Sequence, residues 1–579
     1  MLNKFSVFAT VCSALITINH SYSQPSLSPF DLHPPLKGDL ALSASFGEIR
    51  TNSFHAGLDF RTGGKIGQNV YSSADGFVAR VRVGGTGFGK AIYIQHPNGL
   101  TTVYAHLDRF TPQIDKLVKD QQYSRKSFEI DLPLNPSQFP VKLGELIGIS
   151  GNTGSSGGPH LHYEVRLTKN QTPLNPAFSN LALNDILPPV INGAWLYPLN
   201  ASSSIDGINS TLSLNVQNQH TTYSVADTIR VSGDVALGIK AYDFVNWTSL
   251  RCGIYSIKMF VNEELRYHFS MDEFSFSESR YVNSHIDYTI RQEEGKRVHK
   301  LYREPNNLLS TYKKVVNNGI IQVKPDSLYR IKVVVEDPKG NSCNLSATIM
   351  GVEKSNLLRT VTAPEATLPQ QQWLFFKENT YQTDWFDISM PKNSLYSNIN
   401  FTYDVKEKCQ GSYSPVIHIH NRNTAVHRPY TLRIKADSLP NKLADKALIA
   451  TVNIKDEIES AGGKFSQGLV ETQVNYFGDF FVVVDSVAPT ISPINIFNRK
   501  DMSKEKKIMF RVDDNLSGVA TIVGTINGNW ALFEYDPKNK MVFYEIDDQR
   551  LEKGKTHQLV LIITDRKDNQ NSYRCTFTW

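Results

Sequence analysis

Short runs of alternating apolar and polar residues, closed repeatedly by Asn, Asp, Gly or Pro, constrain this chain more than any other feature. Such runs suit half-buried strands and leave little room for long helices. Lys90-Ala91-Ile92-Tyr93-Ile94-Gln95 and Thr101-Thr102-Val103-Tyr104-Ala105-His106 flank His96-Pro97-Asn98-Gly99-Leu100. Asn-Gly between two alternating segments is a strong hairpin signal, so residues 24–189 read as a mostly antiparallel β domain, with His96 at the surface beside its turn. One stretch departs from this pattern: Ile114, Leu117 and Val118 have helical spacing between Pro112 and Gln122. About residues 111–140 read as an insertion, loop-like towards Pro140.

At 579 residues the chain exceeds what one core can organise, and its texture changes after Pro188-Pro189. The expected fold class is all-β: one antiparallel β-sheet domain followed by several β-sandwich, immunoglobulin-like modules at 190–355 and 486–579. A β-rich block of unknown type, 356–485, lies between them. The two outer modules share a plan. A strand ends in Asp243 or in Asp513-Asp514, a glycine turn follows, and a late strand runs into Asp337-Pro338-Lys339-Gly340-Asn341 or Asp565-Arg566-Lys567-Asp568-Asn569.

Sixty-one Lys and Arg against 56 Asp and Glu leave a net charge of +5 without a dense basic block, which speaks against nucleic acid as a partner and suits an anionic envelope polymer. Lys4, the apolar run Phe5–Ile18 and the small-x-small site Ser21-Tyr22-Ser23 read as a signal peptide over residues 1–23. Export to the periplasm or cell surface is therefore expected, with no transmembrane segment once the signal is removed; an uncleaved anchor is the alternative. Of five cysteines, Cys12 would leave with the signal, and Cys252, Cys343, Cys409 and Cys575 form no C-x-x-C pair. Cys252 and Cys343 suit either one disulfide or two structural thiols.

Three separated segments carry residues suited to metal chemistry: His55-Ala56-Gly57-Leu58-Asp59, Tyr104-Ala105-His106-Leu107 and Gly158-Pro159-His160-Leu161-His162-Tyr163-Glu164. Histidine and carboxylate are the zinc ligands of choice where cysteine is absent. On a strand, His160 and His162 share a face about 6.6 Å apart, so one can hold an ion while the other stands beside it as a base. His55 and Asp59 would be about 13 Å apart on a straight strand, which predicts a bend near Gly57. Glu164 lies on the same strand face and either orients a histidine or is an ordinary surface carboxylate. His418-Ile419-His420, near His427, repeats the His-x-His spacing without a matching His-x-Gly-x-Asp segment, and reads as a solvent-facing pair.

Together, in this order, His-x-Gly-x-Asp, Tyr-x-His-Leu and Gly-Pro-His-Leu-His-x-Glu resemble the lysostaphin/LytM-type zinc metallopeptidase family over about residues 40–180. Ala74-Asp75-Gly76-Phe77-Val78, Gly87-Phe88-Gly89-Lys90 and Gly148-Ile149-Ser150-Gly151-Asn152-Thr153-Gly154 agree with the glycine-punctuated strands of that family. The resemblance implies one Zn2+ held by His55, Asp59 and His162, with His106 and His160 handling protons. It also implies a zinc endopeptidase acting on peptide crosslinks or stem peptides of peptidoglycan. Two other roles remain open: a catalytically silent binding protein that activates another wall hydrolase, or an adhesin whose C-terminal modules meet an envelope protein partner.

Overall fold

The computed structural model describes residues 30–245, 249–353 and 370–579; the expected signal peptide at 1–23 lies outside them. Strands dominate, as expected of an all-β chain. In the first domain β1 (Leu42–Ala44), β2 (Leu58–Arg61), β3 (Gly76–Val83), β4 (Lys90–Gln95) and β5 (Leu100–Phe110) precede α1 (Pro112–Arg125). β6 (Ile130–Pro133), β7 (Leu146–Ser150) and β8 (His160–Leu167) follow. The main sheet has the order β1-β2-β8-β5-β4-β3, every neighbour antiparallel. Ile114 and Val118 bury the inner face of α1. The region after α1 is not all loop, because Ile130 and Leu132 alternate inward and pair β6 onto β3.

Period-two alternation decides which face of this sheet is core. Phe60, Tyr104, Leu161, Tyr163 and Val165 point to one side and are fully buried, each side chain contributing on the order of 1.5–3 kcal/mol. His96 corrects the surface reading. It is 3 % exposed, with Nδ1 2.8 Å from the Asp75 carbonyl and Nε2 2.8 Å from Thr102 Oγ1. These partners satisfy both ring nitrogens, so a polar residue beside a turn can point inward without loss.

The apolar cluster of the first domain continues without a break into the next module and takes in Tyr396 beyond it, running from Leu32 to Tyr396. Phe46 and Phe54 pack on Phe274 at 5.3 and 5.7 Å, and the Phe54 amide donates to Ser279 Oγ at 2.8 Å. That module winds about one 23-residue strand, Thr222–Phe244. Cys252 and Cys343 are free and buried within it, and burial pushes the Cys343 thiol up to about 12. Burial also pushes the Asp243 carboxyl up to about 8, with Asp185 and Asp337 beside it acting the same way.

Between Gln370 and Val484, six-stranded and five-stranded sheets enclose a second core, in which Trp373 stacks on Phe401 at 3.8 Å. Its His418 bonds Asp479 at 2.8 Å and joins no metal-ligand group among the described residues. From Thr490 onwards, a four-stranded and a five-stranded sheet face each other across a third core. This last sandwich folds back onto the first domain. Trp530 meets Tyr123 of α1 edge-on at 5.1 Å, the Arg550 guanidinium lies 3.7 Å over the same ring, and Asp547 pairs Lys119 at 2.9 Å.

Candidate metal centre

The bend expected between His55 and Asp59 exists: strand Ser53–Phe54 ends before β2 begins at Leu58, and His55 Nε2 comes within 3.0 Å of Asp59 Oδ1. The glycine between them is required by close approach. A Cβ on Gly57 would run into the Tyr163 carbonyl and lie 2.9 Å from Glu164 Cγ. Opposite, β8 pairs His162 with Asp59 across β2, which places His162 Nδ1 2.8 Å from Asp59 Oδ1 and 3.0 Å from His55 Nε2.

The remaining nitrogens of these two rings are fixed elsewhere. His55 Nδ1–H donates to the Ser45 carbonyl at 2.8 Å, and His162 Nε2–H donates to Glu164 Oε1 at 2.8 Å. Glu164 is fully buried, and its second oxygen accepts from Arg166 Nε at 2.6 Å. Phe88 stacks on His162 at 5.3 Å. The three free atoms, His55 Nε2, Asp59 Oδ1 and His162 Nδ1, therefore point at one another. Tetrahedral zinc with bonds of 2.0–2.1 Å separates its ligands by roughly 3.3–3.4 Å, so a few tenths of an ångström of spreading accommodates the ion. Two neutral imidazoles and one carboxylate are a donor set that zinc accepts, and the fit is good.

Electrostatics agree with a centre built for a cation. Burial by itself raises Asp59, yet His55, His160 and His162 hold its carboxyl well below the usual range. Burial would lower His162, but hydrogen bonds to Asp59 and Glu164 outweigh it and hold the ring up to about 9. Positive charge at this point is favoured, and a metal ion would displace the proton that supplies it.

His106 and His160 complete the group, with ring centroids 4.8 Å apart. His106 Nδ1–H donates to the Thr153 carbonyl and His160 Nδ1–H to the Gly158 carbonyl, both at 2.8 Å. The Nε2 of His160 lies 3.5 Å from Asp59 Oδ1, and that of His106 has no partner among the described residues. Burial pushes His106 down to about 3, the charges of His162 and His160 acting in the same direction. Plain alternation along β5 would have sent His106 into the core with Tyr104. Instead the β4–β5 register shifts between Lys90 and Ile92, and His106 adopts a φ of 61°. This bulge turns His106 to the metal face and returns Leu107 to the core. Non-glycine residues in that region cost on the order of 1–3 kcal/mol and concentrate at functional sites.

The five histidine and aspartate residues singled out in the sequence are thus brought together. Sequence reasoning leaves out Arg166, Arg50 and Phe88. The even parity of His160, His162 and Glu164 on β8 is the signal that finds Arg166, whereas Arg50, 3.2 Å from Asp59 Oδ2 through Nη2, lies on a separate hairpin. Arg50, Arg61, Asp59 and His160 line an open groove beside the centre.

Comparison with known proteins places this domain. Residues 53–123 match the model for Peptidase family M23, and residues 371–485 match a Zu5-like domain. The chain is 36% identical over 129 residues to the DD-carboxypeptidase/endopeptidase Mpg of Neisseria meningitidis serogroup B, covering 22% of this chain and 23% of that one. It is 35% identical over 134 residues to the peptidoglycan DD-endopeptidase ShyA of Vibrio cholerae, covering 23% and 25%. It thus spans about a quarter of the length of these curated relatives. A crystal structure of a zinc containing peptidase from Vibrio cholerae is similar at 26% identity and a TM-score of 0.20, over 26% of this chain and 41% of that one.

Proposed function

Because the N-terminal domain is of the Peptidase family M23, lysostaphin/LytM type, we propose that the protein is an exported zinc endopeptidase cutting peptide bonds of peptidoglycan. The observation that carries this reading is the convergence of His55 Nε2, Asp59 Oδ1 and His162 Nδ1 to within 3.0 Å of one another, with two further imidazoles alongside. His55, Asp59 and His162 would hold the ion. When bound, zinc polarises a scissile carbonyl and lowers the pKa of water to about 7.

The chain's own residues account for orientation and proton movement. Glu164 and Arg166 fix the His162 ring so that Nδ1 faces inward. His106 and His160 are each anchored through Nδ1, His160 lining the groove and His106 packed behind it with ring centroids 4.8 Å apart. One of them takes the proton from the attacking water, and that proton passes to the leaving amine as the C–N bond breaks. The other, as an imidazolium protonated at Nε2 as well as Nδ1, donates to the oxyanion that forms on the carbonyl. Arg50 and Arg61 at the groove suit the carboxylates of a stem peptide. Among the described residues, no helix is long and apolar enough to cross a membrane.

The test uses the full chain loaded with zinc, incubated with purified sacculi, with released fragments identified by mass spectrometry. Fragments ending at cleaved peptide bonds are expected. A folded, stoichiometrically zinc-loaded protein that releases none would point to the silent binding role.

A further inference from the structure

Two places in this chain repeat one arrangement of carboxylates with the same partners. Asp185 stands four residues before Pro189, and Asp485 four before Pro489. Val190 then pairs with Tyr242, leaving Asp243 next in line; Thr490 pairs with Asp513, leaving Asp514 next. Asp337 Oδ1 accepts from the amides of Lys339 and Asn341 at 2.8 and 2.9 Å, and Asp565 Oδ1 from those of Lys567 and Asn569 at 2.7 and 2.9 Å. Asn341 Nδ2 bridges Asp337 Oδ2 and the Asp185 carbonyl, as Asn569 Nδ2 bridges Asp565 Oδ2 and the Asp485 carbonyl. In each trio, one oxygen from every carboxylate lies within 4.8 Å of the other two.

Proximity alone does not make a site, but a second observation points to a ligand. Asp243 is 1 % exposed, and its Oδ1 is buried without a hydrogen-bond partner among the described residues. Asp514 is half-buried, and its Oδ1 is likewise without a partner among the described residues. A buried carboxylate oxygen without a donor is costly, and here the equivalent oxygen is left over in both copies. The amine two residues after each closing aspartate does not fill the role. Lys339 Nζ donates to the Ala177 carbonyl, and Lys567 Nζ to the carbonyls of Ala447 and Gly463. A donor set of oxygens alone, carried on a linker, a strand end and a turn, suits calcium. Calcium takes six to eight oxygens in flexible geometry, whereas magnesium demands a near-ideal octahedron.

We propose that Asp185, Asp243 and Asp337 bind one calcium ion and that Asp485, Asp514 and Asp565 bind a second. Each ion ties the linker entering a sandwich to that sandwich, so both flanking domains are held in fixed register. The proposal stands apart from the peptidase reading and uses none of its residues.

Calorimetric titration of the calcium-stripped full chain with calcium chloride tests it. Two equivalents bound are expected for the natural protein, one for Asp243→Asn, one for Asp514→Asn and none for the double variant. Millimolar calcium should raise the unfolding midpoint of the natural protein and leave that of the double variant unmoved. In calcium-free buffer the double variant should be at least as stable, having lost the repulsion. No uptake by the natural protein, undiminished uptake by the double variant, or uptake of magnesium but not calcium would overturn it. The first and last of these need no variant to fold.

Discussion

Replacing Glu164 by Gln changes few atoms yet forces a conflict. Both carboxylate oxygens accept: Oε1 from His162 Nε2–H at 2.8 Å, Oε2 from Arg166 Nε–H at 2.6 Å. Glutamine offers a single acceptor oxygen, so one N–H must face an amide N–H instead. The site is closed to water, since Glu164 is fully buried and Arg166 nearly so. Losing one such hydrogen bond to a charged group costs about 1.5–3 kcal/mol. If the amide oxygen turns to Arg166, the His162 ring loses its anchor and zinc binds about ten- to a hundredfold more weakly. If it turns to His162, Arg166 is left buried and unpaired, and the loss falls on folding instead. Competition with a chromophoric chelator measures the first, and denaturant unfolding of the zinc-free protein the second. A variant within roughly threefold of natural zinc affinity and within about half a kcal/mol of natural stability would refute the reasoning.

Three further outcomes follow from the same geometry. His162→Ala abolishes zinc uptake, whereas His106→Ala keeps the metal and loses turnover; equal zinc loss in both, measured by metal analysis, would mean the roles are misassigned. Gly57→Ala pushes a methyl group against the Tyr163 carbonyl and Glu164, and should cost about 1–3 kcal/mol by chemical denaturation. His285 and His299 are buried with Nε2 and Nδ1 2.8 Å apart, and burial pushes His299 down to about 4. The folded state therefore favours the neutral ring, so stability is present above pH 6.5 and lost as pH falls towards 4. The unfolding midpoint should fall over that window, and His299→Gln should shrink the fall.

The metal centre was legible to the extent that it is local. His55-x-Gly-x-Asp59 and His160-x-His162-x-Glu164 state their own spacing, and strand parity puts the second set on one face. His106 stood out as a candidate, but its role came only through family resemblance, because its strand parity points the wrong way. The bulge that rescues it depends on how Lys90 and Ile92 pair across the hairpin. The free state of Cys252 and Cys343 was not legible, nor was the inward turn of His96, since each is decided by neighbours distant in sequence. The same limit hid the seat of the last sandwich on α1. Tyr123 and Trp530 belong to different domains, and no periodicity announces that they will touch.

That seat has a temporal consequence. Lys538, in the last sandwich, donates to the carbonyl of Ser156 at 3.0 Å and to that of Asn152, on the loop whose Thr153 carbonyl anchors His106. A ribosome makes Lys538 376 residues (538 minus 162) after His162, the last of the five histidine and aspartate residues of the centre. For that interval the nascent polypeptide carries all five histidine and aspartate side chains of the centre, while the loop beside them still lacks its final brace. Whatever rigidity the brace confers arrives only once this sandwich has been made.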